Sequence, residues 1–359
     1  ITKEKLSYDE AAPSRILNIA KILEKQHNVF VIAQKAANVK GKNVYEIPKL
    51  GEDFLANQIF KIMVFFVSFY LMITKKINAF VIREYYYIPM LYPFAKLFGV
   101  KLLYDMHCFR YKELEVEEKR LKSILIKPIE IMSHKLAANI LAISNGIIED
   151  LPNNLRKKTI FLPNGINLEE FNNIDSDERI PKKYNIPNSK PIVGFIGNWM
   201  PWVDVLTFLE ASKYVKNATF GVVGEPYTSK SLNYFDEAYP NVIFTGRIKH
   251  EDAVKLLKLM DICVLPYKKA YIVKHLSVRK TLEYLAAGKP IIMSDSDTAD
   301  KQFLKENENA VYYKGENPRD LAAKIMNLLG NKKLIKNLQI NNKNLAKNFK
   351  NRYESGAWS

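Results

Sequence analysis

Apolar positions along this chain follow two alternating rhythms. Ile16, Leu17, Ile19, Ala20 and Leu23 recur on one side of a helix over residues 13–24. The run 28–33 then reads as a short buried strand, and 44–47 as another. The same alternation continues with a helix over 54–74, a strand at 79–83 and a helix over 86–98. Next come a strand at 101–105 and a long helical stretch over 113–138, for which Pro128 is the expected break. A strand at 139–144, a short helix from 146 and a strand at 159–162 close the series. Strands alternating with helices predict a parallel sheet covered on both faces. Such a sheet normally opens on a strand, and residues 1–7 make a poor one. Either they serve, or the first strand lies ahead of Ile1.

The stretch 173–190 is polar and punctuated by Pro181 and Pro187, a linker composition. A second series follows. Its strands are expected at 192–196, 219–223, 242–245, 262–266, 290–293 and 310–313, with helices at 203–214, 251–259, 278–287, 318–329 and 333–348. The fold class expected is therefore α/β, with two Rossmann-like domains in tandem and a cleft between their strand ends. The domains are drawn at 1–172, 191–340 and a C-terminal helix over 341–359 that stops short, with 173–190 as linker.

The chain's 359 residues suit two cores better than one. Its net charge of +16 favours anionic partners such as nucleotides or acidic membrane surfaces, although lysine is spread throughout. Basic residues interleaved with aromatics on one face are not evident, so no nucleic-acid partner is expected. Cys108 and Cys263 have no metal-ligand spacing or disulfide pattern, which suits a reducing, cytoplasmic setting. No signal-peptide pattern is present, and the chain opens on Ile1 without a methionine. The apolar run 59–73 contains Lys61 and falls short of the ~18–20 residues a membrane span needs, so a buried helix is expected there. An in-plane membrane contact is the other reading. The basic members of 113–135, among them Lys119, Arg120, Lys122 and Lys127, could touch anionic lipid, or form an ordinary solvated face.

The chemistry concentrates at 275–294. Ser277 is a candidate N-cap, the helix runs to Ala287, and Gly288 with Pro290 stops it. Arg279 and Lys280 stand in the first turn, where cations oppose the helix dipole unless an anion sits there. Glu283 lies on the same face as Lys280 and could accept hydrogen bonds from sugar hydroxyls. An incidental surface helix is the alternative. Trp199 and Trp202 could stack on a sugar or base, or line a lipid-facing rim. Residues 83–87, Arg-Glu-Tyr-Tyr-Tyr, read as packing rather than an acceptor platform, and Asp295-Ser-Asp297 is only a weak metal-site match.

Several segments resemble the family-4 glycosyltransferases of the GT-B fold. They are Leu102-Leu-Tyr-Asp-Met-His107 (read with the strand it ends), Leu141-Ala-Ile-Ser-Asn-Gly146, and Leu162 through Phe171 with its Pro-Asn-Gly. In the second half they are Val193-Gly-Phe-Ile-Gly197, Met260 through Tyr267 and Lys280 through Ile292. No single motif decides it; their order and spacing over about 80–330 do. The resemblance implies a metal-independent, retaining hexosyltransferase with no cofactor, using a nucleotide sugar, most simply a UDP-sugar. A glycan, glycolipid or lipid-linked acceptor would be met at the inner membrane face, in polysaccharide biosynthesis. It implies that Glu283 holds the donor ribose and that amides at Ser277 and Val278 face the diphosphate. Gly197 would allow close approach of a ligand, His107 would face the transferred sugar, and Asn164 and Gly165 would shape the cleft near the hinge. The family's first glutamate is replaced by His275, and its Arg and Lys after the glycine by Asn198 and Val203, with Asp204 opening the next helix. Arg279 and Lys280 are expected to take over the phosphate charge. A sugar-nucleotide epimerase of the same fold and a non-catalytic nucleotide-binding protein are the alternatives.

Overall fold

The computed structural model describes residues 1–6, 11–35, 43–175, 177–187, 190–225, 235, 238–276 and 279–349. The chain divides into two compact units between Pro163 and Asn164. The first contains α1 (Ala11–Leu23), β1 (Val31–Gln34), β2 (Val44–Ile47), α2 (Phe54–Thr74), β3 (Ala79–Ile82), α3 (Tyr87–Phe98) and β4 (Lys101–Met106). It continues with α4 (Arg110–Val116), α5 (Arg120–Leu136), β5 (Asn139–Ala142), α6 (Asn145–Asp150), α7 (Asn153–Arg156) and β6 (Thr159–Phe161).

All strand pairs here are parallel, in the order β3-β4-β5-β6 with β1-β2 as a separate pair. Residues 1–5 join the two. The Thr2 amide donates to the Ile32 carbonyl, the Gln34 amide to Glu4, and Lys5 bridges Gln34 in parallel. On the other side the Ile1 nitrogen donates to Val81 and the Arg83 amide to the Ile1 carbonyl. The poor opening segment thus runs between the two without forming a regular strand, touching β1 through one isolated bridge. Its polar residues are tolerated because alternate positions, Thr2 and Leu6 among them, are the buried ones.

Alternation along β4 assigns the two faces. Leu102, Tyr104 and Met106 join the core formed with Phe60, Val64 and Leu71 of α2 and with Ile88, Leu91 and Ala95 of α3. Leu103 packs on the opposite face with Ile19 of α1. The helical stretch 113–138 does not break at Pro128, which lies inside α5. It breaks at Glu118, whose φ of 61° is left-handed. There the Lys119 amide reaches Leu114 O and the Glu118 amide Glu115 O, a Schellman pair that closes α4.

The second unit holds α8 (Leu168–Asn172), α9 (Arg179–Lys183), β7 (Ile192–Ile196), α10 (Val205–Ser212), β8 (Thr219–Val223), β9 (Val242–Gly246) and α11 (His250–Leu259). Then follow β10 (Ile262–Leu265), α12 (Arg279–Ala286), β11 (Ile291–Ser294), β12 (Ala310–Tyr313), α13 (Pro318–Gly330) and α14 (Lys332–Lys347). The sheet order β12-β11-β10-β7-β8-β9, all parallel, is the doubly wound Rossmann order. Its direction of winding reverses between β7 and β10. The stretch 173–190 carries α9, whose Ile180 is buried and whose neighbour Tyr184 hydrogen-bonds Asp252 of α11, so it packs on this unit. The boundary drawn at residue 340 falls inside α14.

Glu130 of α5 is fully buried, and its carboxylate accepts the Arg110 and Tyr111 amides at 2.8 and 3.0 Å, capping α4. Burial outweighs these bonds and raises its carboxyl to about 7. The folded form therefore keeps a proton that the unfolded chain loses near pH 4.5. Stability is expected to fall as pH rises from about 4.5 to 7, by on the order of 3 kcal/mol, and then level. Urea melts of wild type and Glu130→Gln across that range check this; an equal slope in both removes Glu130 as the cause.

Candidate functional site

Ligands of doubly wound sheets bind where winding reverses, beyond the carboxyl ends of the strands. In the second unit that point follows β7 and β10. Gly197 ends β7 with φ 143°, and Gly224 follows β8 with φ 128°. A Cβ on Gly224 would lie 2.3 Å from the Gly197 carbonyl oxygen, so the two backbones meet only because Gly224 has no side chain. A Cβ on Gly197 would lie 2.4 Å from Lys280 Nζ. The space above Gly197 is occupied by the lysine of α12.

Lys280 Nζ lies 4.6 Å from the Phe195 ring centroid and 6.0 Å from that of Tyr267. Among the described residues it makes no ion pair or hydrogen bond. Desolvation lowers its ammonium to about 8, against the weaker opposing pull of Glu283 and Asp300. α12 is fixed beneath it by two buried contacts. Thr281 Oγ1 donates to Asp300 at 2.6 Å, and the Tyr284 hydroxyl accepts the Ile196 amide at 2.9 Å.

Arg279 is placed differently from Lys280. Its Nε donates to Glu283 Oε1 at 2.8 Å and its Nη2 lies 2.9 Å from His250 Nε2. It holds Glu283, which is 9% exposed, while Lys280 faces the strand end. His250, at the start of α11, belongs to this cluster and carried no motif to mark it in the sequence. Ser277 and Val278 lie outside the described residues. His275 is fully buried, edge-on to the Tyr271 ring at 5.1 Å. Asp204 caps α10 by accepting the Thr207 amide, and Asn198 is exposed beside Gly197. Trp199 and Trp202 are each 8% exposed, and Trp199 packs edge-on to Phe235 at 5.0 Å, so the indoles are core rather than rim. Asp295 is engaged by the Gly315 amide and Lys269. Asn164 and Gly165 stand at the start of the unit, directly after the division of the chain.

In the first unit, His107 follows β4. Its Nε2 lies 2.9 Å from both Arg83 Nη1 and Asp105 Oδ2. A neutral ring satisfies one of these at a time, accepting from Arg83 or donating to Asp105. Burial, with Arg83 beside it, lowers the imidazole to about 4, so it is neutral at physiological pH. Burial would raise the Asp105 carboxyl, yet Arg15 and His107 hold it well below the usual range. Arg15 of α1 donates to Asp105 through Nε and Nη2, and to the Leu162 and Pro163 carbonyls, with both side chains 2% exposed. Arg15 is one turn from Ile19 of α1, which packs on the Leu103 face of β4, and no motif in the sequence marked it. The alternation of β4 brings Asp105 to that side.

Residues 176–345 match the family model described as glycosyl transferases group 1. A glycosyltransferase assigned to teichuronic acid biosynthesis in Bacillus subtilis is 27% identical over 211 residues, covering 57% of this chain and 52% of that protein. The N,N'-diacetylbacillosaminyl-diphospho-undecaprenol alpha-1,3-N-acetylgalactosaminyltransferase of Campylobacter jejuni is 33% identical over 186 residues, 49% of this chain and 46% of that protein. The chain thus spans about half the length of these curated relatives. The structure of Anabaena HepE in complex with UDP and glucose superposes with a TM-score of 0.71 at 14% identity, covering 96% of this chain and 94% of that one. The fold is GT-B, and residues 176–345 are similar to the group 1 glycosyl transferases.

An ammonium lowered to about 8 regains its proton affinity when an anion binds beside it. An anion bound there, with UDP as the probe, is therefore expected to bind with an affinity flat from pH 7 to 8 and weaker by about tenfold per unit above pH 8. Titration calorimetry of wild type and Lys280→Met checks this. A slope that persists in the variant assigns the proton elsewhere.

Proposed function

We propose that this protein is a retaining glycosyltransferase that moves a hexose from a UDP-sugar to a glycan, glycolipid or lipid-linked acceptor. The observation that carries the reading is the Lys280 ammonium, held without a counter-ion among the described residues at the winding reversal, one helical turn from Glu283. Glycosyl transfer from such a donor releases a diphosphate anion. An ammonium waiting at that point stabilises charge as it develops, with little reorganisation at the moment of reaction. Glu283, aimed by Arg279 and backed by His250, is suited to accept hydrogen bonds from the ribose hydroxyls.

No pair of carboxylates at the candidate positions suits a double displacement. The reading is therefore same-face attack. The anomeric carbon–phosphate oxygen bond breaks, the acceptor oxygen bonds to the same face of that carbon, and the acceptor proton passes to the leaving diphosphate. His107, neutral and shared between Arg83 and Asp105, acts as a hydrogen-bonding group toward the sugar rather than as a proton carrier. With Lys280 meeting the diphosphate charge, the reading assigns no role to a metal. The named relatives support the acceptor and donor classes: one is named for a diphospho-undecaprenol substrate, and a structural neighbour was solved with UDP and glucose. A lipid-linked acceptor would place the protein at the cytoplasmic face of a membrane.

Calorimetry with UDP is expected to show binding that weakens about 10- to 150-fold in Lys280→Ala, the loss of one charge-assisted hydrogen bond of roughly 1.5–3 kcal/mol. Transfer should continue in EDTA, and the product should keep the donor's anomeric configuration. Absence of UDP binding overturns the donor assignment. An inverted product overturns same-face attack, and epimerisation of a UDP-sugar without acceptor favours the epimerase reading.

A further inference from the structure

Helices α2, α3 and α5 form one layer over the first unit's sheet, and their inner sides are accounted for. Phe60, Val64 and Leu71 of α2, Leu91 of α3 and Tyr104 of β4 share a core, and His134 of α5 stacks on Tyr104 at 5.6 Å. The outer sides are apolar as well. On α2, Ile62, Phe66, Tyr70 and Ile73 repeat at helical spacing and are 49–63% exposed. On α5, Leu121, Leu125 and Met132 do the same, at 80%, 71% and 42%. Phe98 of α3 is 44% exposed and packs edge-on to Phe69 of α2 at 6.1 Å, which ties α3 to its neighbour. α2 is long and apolar enough to cross a membrane, yet only 28% of its apolar window is buried inside the protein.

Charge on this layer has one sign. α2 and α3 contain no carboxylate, and the only one in α5, Glu130, is fully buried. Lys61, Lys96, Arg120, Lys122, Lys127 and Lys135 supply cations. Lys61 is lowered by burial and further by Lys3 and Lys122, which brings three of the chain's lysines into one field.

We propose that the outer face of α2, α3 and α5 lies in the plane of an anionic bilayer, with its apolar stripes in the headgroup–acyl boundary and its lysines among the headgroups. An apolar face of this extent is uncommon on a monomer. Interfacial helices of apolar and cationic character bind by apolar burial together with attraction to acidic lipid. Spanning is excluded for α2 because its Phe60–Val64–Leu71 stripe is packed on the sheet. Self-association through a two-fold axis would set this cationic face against itself, with no exposed carboxylate on the three helices to offset the charge. The inference deepens the proposed function, taking from it only the lipid-linked acceptor that makes such contact useful.

The test is flotation of the full chain with phosphatidylglycerol/phosphatidylcholine vesicles and with phosphatidylcholine alone. The variants are Phe66→Glu/Leu125→Glu and Lys122→Glu/Lys127→Glu, all at exposed positions. Wild type should float with the anionic vesicles and partly release in 0.5 M salt. Each double variant should partition about tenfold less, with its melting temperature retained. Equal flotation on phosphatidylcholine alone, or no flotation, overturns the proposal. So does a concentration-dependent dimer in light scattering that Phe66→Glu/Leu125→Glu dissolves. Vesicle binding by a protein that does not bind UDP leaves this inference standing while removing the glycosyltransferase reading. UDP binding without flotation does the reverse.

Discussion

The Lys280 ammonium rests above a glycine at the end of a buried strand, and the second unit's candidate site depends on that placement. A longer residue at 197 would overlap the ammonium, and one at 224 would drive the ends of β7 and β8 apart. The reversal of winding between β7 and β10 opens the space. The bond from the Ile196 amide to Tyr284 and that from Thr281 to Asp300 hold α12 against the sheet, which keeps the root of the lysine at the strand end. Desolvation then leaves a charge that the described protein groups do not neutralise, a costly arrangement whose cost an anionic ligand would offset.

Much of this was legible in the sequence. Helical and strand periods marked nearly every element, because a two-faced parallel sheet demands apolar runs from its strands and one-sided stripes from its helices. The helix carrying Lys280 and Glu283 could be read from its cap, its stop and its charges. What escaped were features that depend on pairing across the fold. Residues 1–5 are tied between β1 and the end of β3 by backbone bonds that no local pattern announces. Arg15 carries no motif, and its role shows only in the bond to Asp105 across the fold. Arg279 and Lys280 are adjacent and look equivalent in sequence, yet a helix points neighbours about 100° apart. One reaches Glu283 and His250 and the other the strand end. The break at Glu118 was misplaced to Pro128 because proline is the louder signal. The left-handed residue is a glutamate, and the Schellman pair that holds it is visible only in three dimensions.

The two unit cores differ in how they treat their surface helices. In the second unit the loop tryptophans turn inward, and Trp199 packs with Phe235 and Phe244. In the first, α2 is apolar on both sides. Its inner stripe satisfies the sheet, so folding alone does not require Phe66 or Ile73 to be apolar; polar residues there would leave the packed side unchanged. An apolar outer stripe with a cationic border and no carboxylate is thus a property that the fold does not need, and a contact with something outside the unit explains it.

The chain's buried or half-buried cations separate structure from chemistry. Arg15 is almost fully buried and fully engaged: a carboxylate and two carbonyls share its guanidinium, and the planar fork suits that fixed set of acceptors. A cation so satisfied has little left to offer a ligand, and its removal would leave Asp105 charged and buried, a defect in folding before one in binding. Lys280 has the opposite character. It is a compact ammonium on a flexible stem, set against aromatic rings instead of a carboxylate, with its proton held loosely enough to respond to a neighbour. Arg279 stands between these cases, a cation whose charge is spent on aiming a carboxylate. Ordered by how completely the protein answers each charge, Arg15, Arg279 and Lys280 run from scaffold through positioning to binding, and the least answered charge lies where the sheet's winding reverses.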